Sequence, residues 1–252
     1  MFTKKRLRKV YKEKIRRINS KYQKKLQAER NKFNCILTHD IKTPLLAQIQ
    51  SLELLLKGEF GALNQNLKEI VSEILNSNCF LYEIVTNTIF LTKYENEKPK
   101  LKLEDIDIIE QIRDCCINIQ NYTKDKGQDI VVKSNKSKKI KLYADRKLIQ
   151  KIIFNLLSSS SSLGFENSRI EITVKENKNS VSFLTKNKSI YMTKEKIKSL
   201  FEEKKNLCDF NQLGMSLNLN IAKKLIKAHN WDIIAQSQKN NSSIFGFVAL
   251  KK

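Results

Sequence analysis

The sequence predicts an α+β protein: a dimeric helical hairpin, paired into a four-helix bundle, followed by a two-layer α/β sandwich. Three observations predict it. Apolar residues recur at helical spacing over roughly the first hundred positions, and past Pro99 the period changes to short β-type runs alternating with helical ones. Glycine and proline are scarce, six and two in 252 residues, and mark boundaries. A 40% apolar content suffices for a core in each part and excludes a disordered chain.

Each element follows from its pattern. Tyr11, Ile15, Ile18, Tyr22, Leu26 and Phe33 form one stripe that continues through Leu37, Ile41, Leu45, Ile49 and Leu52. The segment GEFGALN, with Gly58 and Gly61, turns the chain into a second helix carrying Leu67, Ile70, Val71, Ile74, Leu81, Val85, Ile89 and Thr92. Two antiparallel helices with one apolar face each bury it best in a dimeric bundle. Beyond Pro99, strands are expected over 129–133, 139–143, 169–175, 180–185, 231–236 and 243–250, and helices over 106–126, 145–161, 193–203 and 214–229. Strands that neighbour one another in sequence, with helices between, give a sandwich with its helices on one face. The chain divides into a basic coiled-coil leader (1–30), a dimerisation hairpin (31–97) and an α+β domain (98–252).

Several function classes drop out on composition. No apolar run approaches the roughly 18 residues of a spanning helix, and the opening MFTKKRLRKV leads into no signal-peptide core, so a cytoplasmic chain is expected. Cys35, Cys79, Cys115, Cys116 and Cys208 are odd in number and lack C-x-x-C spacing, which excludes a disulfide framework and a zinc site. His39 and His229, the two histidines, are too few for a metal centre built on several imidazoles.

The net charge of +22 reads two ways. Lysine outnumbers arginine 40 to 8 in a chain also rich in Asn and Ile, a codon-bias signature. Yet residues 1–32 hold 14 basic and 2 acidic side chains, net +12, against 34 and 24, net +10, in the remaining 220. So concentrated an excess suits an anionic membrane or a nucleic acid.

His39 draws attention by position. At 100° per residue it lies about 160° from both Leu37 and Ile41, away from the apolar stripe. Thr43 shares its face and Asp40 adjoins it. Pro44 deprives the Asp40 carbonyl of its helical donor, which predicts a kink just after the histidine.

The run FNCILTHDIKTPL, Phe33 to Leu45, closely resembles the H box of two-component sensor histidine kinases, and the resemblance extends along almost the whole chain from residue 31. It implies a phosphotransfer hairpin followed by a GHKL-type ATP-binding domain, with ATP and Mg2+ as cofactors. A response-regulator receiver domain, a second copy of the chain and an upstream sensor would be its partners. By that resemblance His39 is the phosphoacceptor, Asp40 orients its imidazole and takes up a proton, and Thr43 positions water for dephosphorylation. The residue types suit the chemistry, because neutral imidazole is a good nucleophile near neutral pH and a carboxylate on one ring N–H fixes the tautomer.

The nucleotide motifs match in part. DRKLIQKIIFNLL, Asp145 to Leu157, resembles the N box and puts Asn155 at the magnesium-binding position; Lys151 replaces an acidic or amide residue, and Ser159, Ser160 and Ser162 stand where a second Asn, an Ala and a basic residue are usual. Asn187-Lys-Ser189-Ile-Tyr191 aligns with D-x-G-x-G, so the Asn187 carbonyl takes the role of the adenine-binding Asp and both glycines are gone. Gly214-Met-Ser216-Leu-Asn218 stands for G-x-G-x-G, Gly214 alone allowing close backbone approach to phosphate. Lys204 and Lys205 are available to phosphate in the lid, and His229 ends the last helix as a cation at its negative pole. The expected function is a kinase that autophosphorylates His39 from ATP and passes the group to a receiver aspartate. The alternatives are a pseudokinase, working as a histidine phosphotransfer or phosphatase scaffold, and a basic coiled-coil adaptor for membrane or nucleic acid.

Overall fold

A computed structural model describes residues 2–96, 99–124, 126–135, 139–202 and 210–251. The chain separates into two compact units, Met1–Glu97 and Lys98–Lys252.

The first unit is helical throughout. Helix α1 (Phe2–Cys35) runs without a break at residue 30, passes into a π-helical segment (Ile36–Ile41), and continues as α2 (Lys42–Lys57). Gly58 ends α2 in the left-handed region, φ 81°, where a side chain would be strained, and its N–H donates to the carbonyl of Leu55 (3.1 Å) while that of Glu59 reaches Leu54 (3.2 Å). Asn64 then caps α3 (Gln65–Asn96), its Oδ1 accepting from the Leu67 N–H at 2.9 Å. Helices α2 and α3 pack on each other as the hairpin the sequence predicts. Ile41, Leu46, Leu54, Leu67, Ile70, Ile74 and Leu81 nevertheless stay exposed in the single chain.

The second unit is the predicted two-layer sandwich. Strands β1 (Leu103–Asp107) and β3 (Lys141–Asp145) pair antiparallel; β2 (Asp129–Ser134), β4 (Arg169–Glu176), β5 (Ser180–Lys188), β6 (Asp232–Gln238) and β7 (Ser242–Leu250) form a five-stranded sheet in the order β2-β4-β5-β7-β6. Only the β2–β4 pair is parallel. Along β4 and β5 buried residues alternate with less buried ones, and Ile170, Ile172, Val174, Val181 and Phe183, with Phe245 and Phe247 of β7, put the core on one face. Helices α4 (Ile108–Lys124), α5 (Arg146–Leu163) and α7 (Phe210–Ala228) supply the second layer, with the short α6 (Lys194–Leu200) against β6. In α5, Ile149, Ile152, Ile153, Leu156 and Leu157 follow the i, i+3, i+4, i+7, i+8 stripe of a core-facing helix.

Several boundaries move. Strand β1 was not expected: LEDID has the acidic residues that disfavour strands, and it exists through pairing with β3, which itself shifts from 139–143 to 141–145. That pairing starts α4 at Ile108 rather than 106. Asp145 closes β3 and caps α5, its Oδ1 accepting from the N–H groups of Lys147 and Leu148, both at 3.1 Å.

Candidate phosphotransfer and nucleotide sites

His39 and Asp40 lie in the π-helical segment, with Thr43 one residue into α2. The wider i→i+5 turns correct the assumption of 100° per residue around His39. They immediately precede Pro44, so the missing donor accompanies a widened turn in the backbone. Asp40 and Thr43 are exposed; the imidazole of His39 lies outside the described residues. Beside them Lys42 extends its ammonium over the Tyr82 ring of α3, 5.5 Å from the centroid, tying this stretch to its neighbour.

In the second unit Asn155, Ser159, Asn187, Gly214 and Ser216 are buried, whereas Tyr191 of the second motif is exposed. Asn155 is 1% exposed, and neither its Oδ1 nor its Nδ2 has a hydrogen-bond partner. Of the five serines after Leu157, the first four have side-chain hydrogen bonds: Ser158 accepts from Asn218 Nδ2 (3.2 Å), Ser159 donates to the Asn155 carbonyl (2.7 Å), Ser160 pairs with Thr185 (2.7 Å) and Ser161 donates to Gln128 Oε1 (2.7 Å). The hydroxyl of Ser159, which the N-box alignment assigns to the nucleotide, is thus committed to its own helix. Asn187 is buried with its Oδ1 unpartnered, yet it lies inside β5, paired with Ser243, and not in a loop after the strand. Ser189 bridges Gly164, so backbone pairing carries on where two glycines were sought.

The third motif is also displaced. Helix α7 begins at Phe210, so Gly214 lies in the second turn, beyond the first four N–H groups that a helix leaves free for an anion. Ser216 donates to the Glu202 carbonyl at 3.3 Å. Lys204 and Lys205 lie outside the described residues.

The expectation of a cationic His229 needs correction. Burial is the main influence and pushes the imidazole below its usual range, opposed by the Leu225 carbonyl and by Asp145. Nε2 accepts the Asp145 N–H at 3.3 Å, which leaves Nδ1 as the donor to the Leu225 carbonyl at 2.8 Å. The ring is neutral and clamps the end of α7 to the start of α5, with Trp231 packed on it at 4.5 Å. The signal was not local, because its partner lies 84 residues away.

A pH dependence follows. Because the folded value lies below the ordinary 6.5, the unfolded chain takes up the proton first. The stability this contributes is complete above that value and is lost as pH falls through it towards the lowered folded one. Thermal stability should therefore fall from about pH 7.5 to about pH 5.5, and more steeply in the wild type than in His229→Gln. Parallel pH profiles would exclude the clamp.

The residues meet the chemistry of a magnesium nucleotide in part. Asn155 and Asn187 offer buried, unpartnered carboxamide atoms of the kind a bound group satisfies, whereas the aligned motifs supply Asn187 in place of a carboxylate and lack all but one of their glycines.

Comparison with known proteins agrees with this layout. No protein-family model matches the chain. It is 24% identical over 242 residues to the sensor protein KdpD of Clostridium acetobutylicum, covering 92% of this chain and 26% of that protein. To the sensor histidine kinase YvrG of Bacillus subtilis it is 23% identical over 240 residues, 94% of this chain and 41% of the other. The chain therefore spans between about a quarter and about two-fifths of these relatives. Among solved structures, full-length ShkA in complex with AMPPNP superposes with a TM-score of 0.63 at 18% identity, over 86% of this chain and 45% of that one. The histidine kinase ThkA, in complex with the response regulator TrrA, gives 0.58 at 18%, over 92% and 66%. In sequence the chain is similar to sensor histidine kinases, and in fold to histidine kinase structures, a helical hairpin followed by an α/β sandwich of the GHKL ATPase type.

Proposed function

We propose that the chain is the phosphotransfer and kinase portion of a two-component system. Two copies pair through residues 31–97, His39 is phosphorylated from ATP, and the phosphoryl group passes to an aspartate of a response-regulator receiver domain. The observation that carries this reading is the H box itself, set in a widened turn ahead of Pro44 on a hairpin whose unpaired face exposes Ile41, Leu46, Leu67, Ile70 and Ile74. ATP with magnesium supplies an activated phosphoryl group and neutralises its charge. The chain's own residues do the rest. The Asp40 carboxylate accepts from one ring N–H of His39 and so leaves the other nitrogen free to attack. Thr43 positions water in the reverse, hydrolytic direction. Asn155 serves the metal and phosphates, and the Oδ1 of Asn187 accepts from the adenine amino group. A ThkA structure contains a response regulator and a ShkA structure contains AMPPNP, which supports the same partner and nucleotide here.

A second reading, a phosphotransfer scaffold without ATP turnover, is favoured by the burial of Asn155, Ser159 and Asn187 and by the inward position of Gly214. Each lost charge-assisted bond costs roughly 1.5–3 kcal/mol, so two or three weaken nucleotide binding by about a thousandfold. Labelled ATP with magnesium should therefore mark His39 slowly, and only at millimolar nucleotide. If no label enters while His39 accepts phosphate from a phosphorylated receiver, the scaffold replaces the kinase.

A further inference from the structure

The first half of α1 presents an apolar face that nothing in the described chain covers. Tyr11, Ile15, Ile18 and Tyr22 are 62%, 55%, 59% and 65% exposed. At 100° per residue the four fall within an arc of about 60°. Lys14, Lys21 and Lys25 border that arc on one side, Lys12 lies about 60° past its other edge, and Glu13 lies on the opposite side of the helix. Residues 1–32 carry only Glu13 and Glu29 against 14 basic side chains.

We infer that α1 lies on an anionic bilayer surface, with Tyr11, Ile15, Ile18 and Tyr22 entering the headgroup boundary and the bordering lysines reaching phosphate. This goes beyond the phosphotransfer reading and does not depend on it. Three features select a bilayer over other occupants. Long basic side chains beside an apolar stripe lay their stems along the acyl boundary and keep their ammonium groups at the headgroups, as surface-seeking helices do. Tyrosines flank the isoleucine pair, and tyrosine favours that interface. A second copy of the leader would match the stripe but bring another +12 alongside, and the repulsion is screened only over about 10 Å at 0.1 M salt. A nucleic acid would match the charge but leave Ile15 and Ile18 in water.

The test uses the whole protein with vesicles of phosphatidylglycerol and phosphatidylcholine, with vesicles of phosphatidylcholine alone, and with duplex DNA. Co-sedimentation with the anionic vesicles, absent for the neutral ones and weakened by high salt, is expected. Ile15→Asn/Ile18→Asn should weaken it by about tenfold. Circular dichroism of that variant reports whether α1 stays helical, and a Tyr22→Trp probe should show a blue-shifted emission on the anionic vesicles. Undiminished vesicle binding by the asparagine variant, no emission shift, or binding to DNA in preference to lipid would each overturn the assignment. A leader that pairs with a second copy and ignores vesicles would do the same.

Discussion

Replacing His39 by alanine is expected to reduce phosphate incorporation from ATP to background, and with it all transfer to and from a receiver domain. The loss is total because the reaction has no route around a missing nucleophile; His39 is the one histidine in the hairpin, so no other imidazole there can take the phosphoryl group. Neighbouring substitutions should separate the roles. Asp40→Asn keeps the shape but accepts the ring proton poorly, and a general-base contribution of this kind amounts to about a hundredfold or more in rate. Thr43→Ala should leave forward transfer intact and slow only dephosphorylation of the receiver. Acid-labile label on His39→Ala protein would show that the acceptor lies elsewhere.

Gly246→Ala should be the most damaging small change in the sandwich. Gly246 lies in β7 between Leu184 of β5 and Ile234 of β6, and a Cβ there would fall 2.1 Å from the Phe183 carbonyl oxygen, 2.8 Å from Leu184 Cδ2 and 2.9 Å from Leu184 Cα. Two of those neighbours are backbone, so no rotamer relieves the clash and the two strands must part. Overpacking of this kind costs about 3 kcal/mol. In a unit of this size that lowers the melting temperature by roughly 10 °C. The rings on either side, Phe183 stacked on Phe247 at 5.5 Å and Phe247 on Trp231 at 5.1 Å, would lose their registration as well. A melting curve within about 2 °C of wild type would mean that the strands pass each other less closely than this.

What was legible in the sequence had a local cause. The apolar stripe of α5, the turn at Gly58 and the change of period after Pro99 each lie within a few residues, and the hairpin and sandwich follow from them. The displaced features depend on pairing across long separations. Strand β1 is held by β3, some forty residues downstream, and its acidic sequence hides it. The neutral state of His229 is set chiefly by burial, and the N–H that its Nε2 accepts comes from Asp145, 84 residues away. Asn187 looked like a loop residue because its motif normally follows a strand, while Ser243 extends the β5–β7 ladder through it. The serine run gave no hint that its hydroxyls would be used internally, since Ser158, Ser160 and Ser161 meet Asn218, Thr185 and Gln128 from distant parts of the chain.

Asp145 is a single fastening for three parts of the sandwich. Its Oδ1 holds the first turn of α5, its Oδ2 accepts from the Lys102 N–H at 2.9 Å, and its own N–H is held by the last residues of α7 through His229. Further along, α5 and α7 are linked again, Asn218 Nδ2 donating to Ser158 Oγ at 3.2 Å. One residue thus ties the segment ahead of β1, the first turn of α5 and the end of α7 to a single point, so displacing the end of β3 would displace all three together.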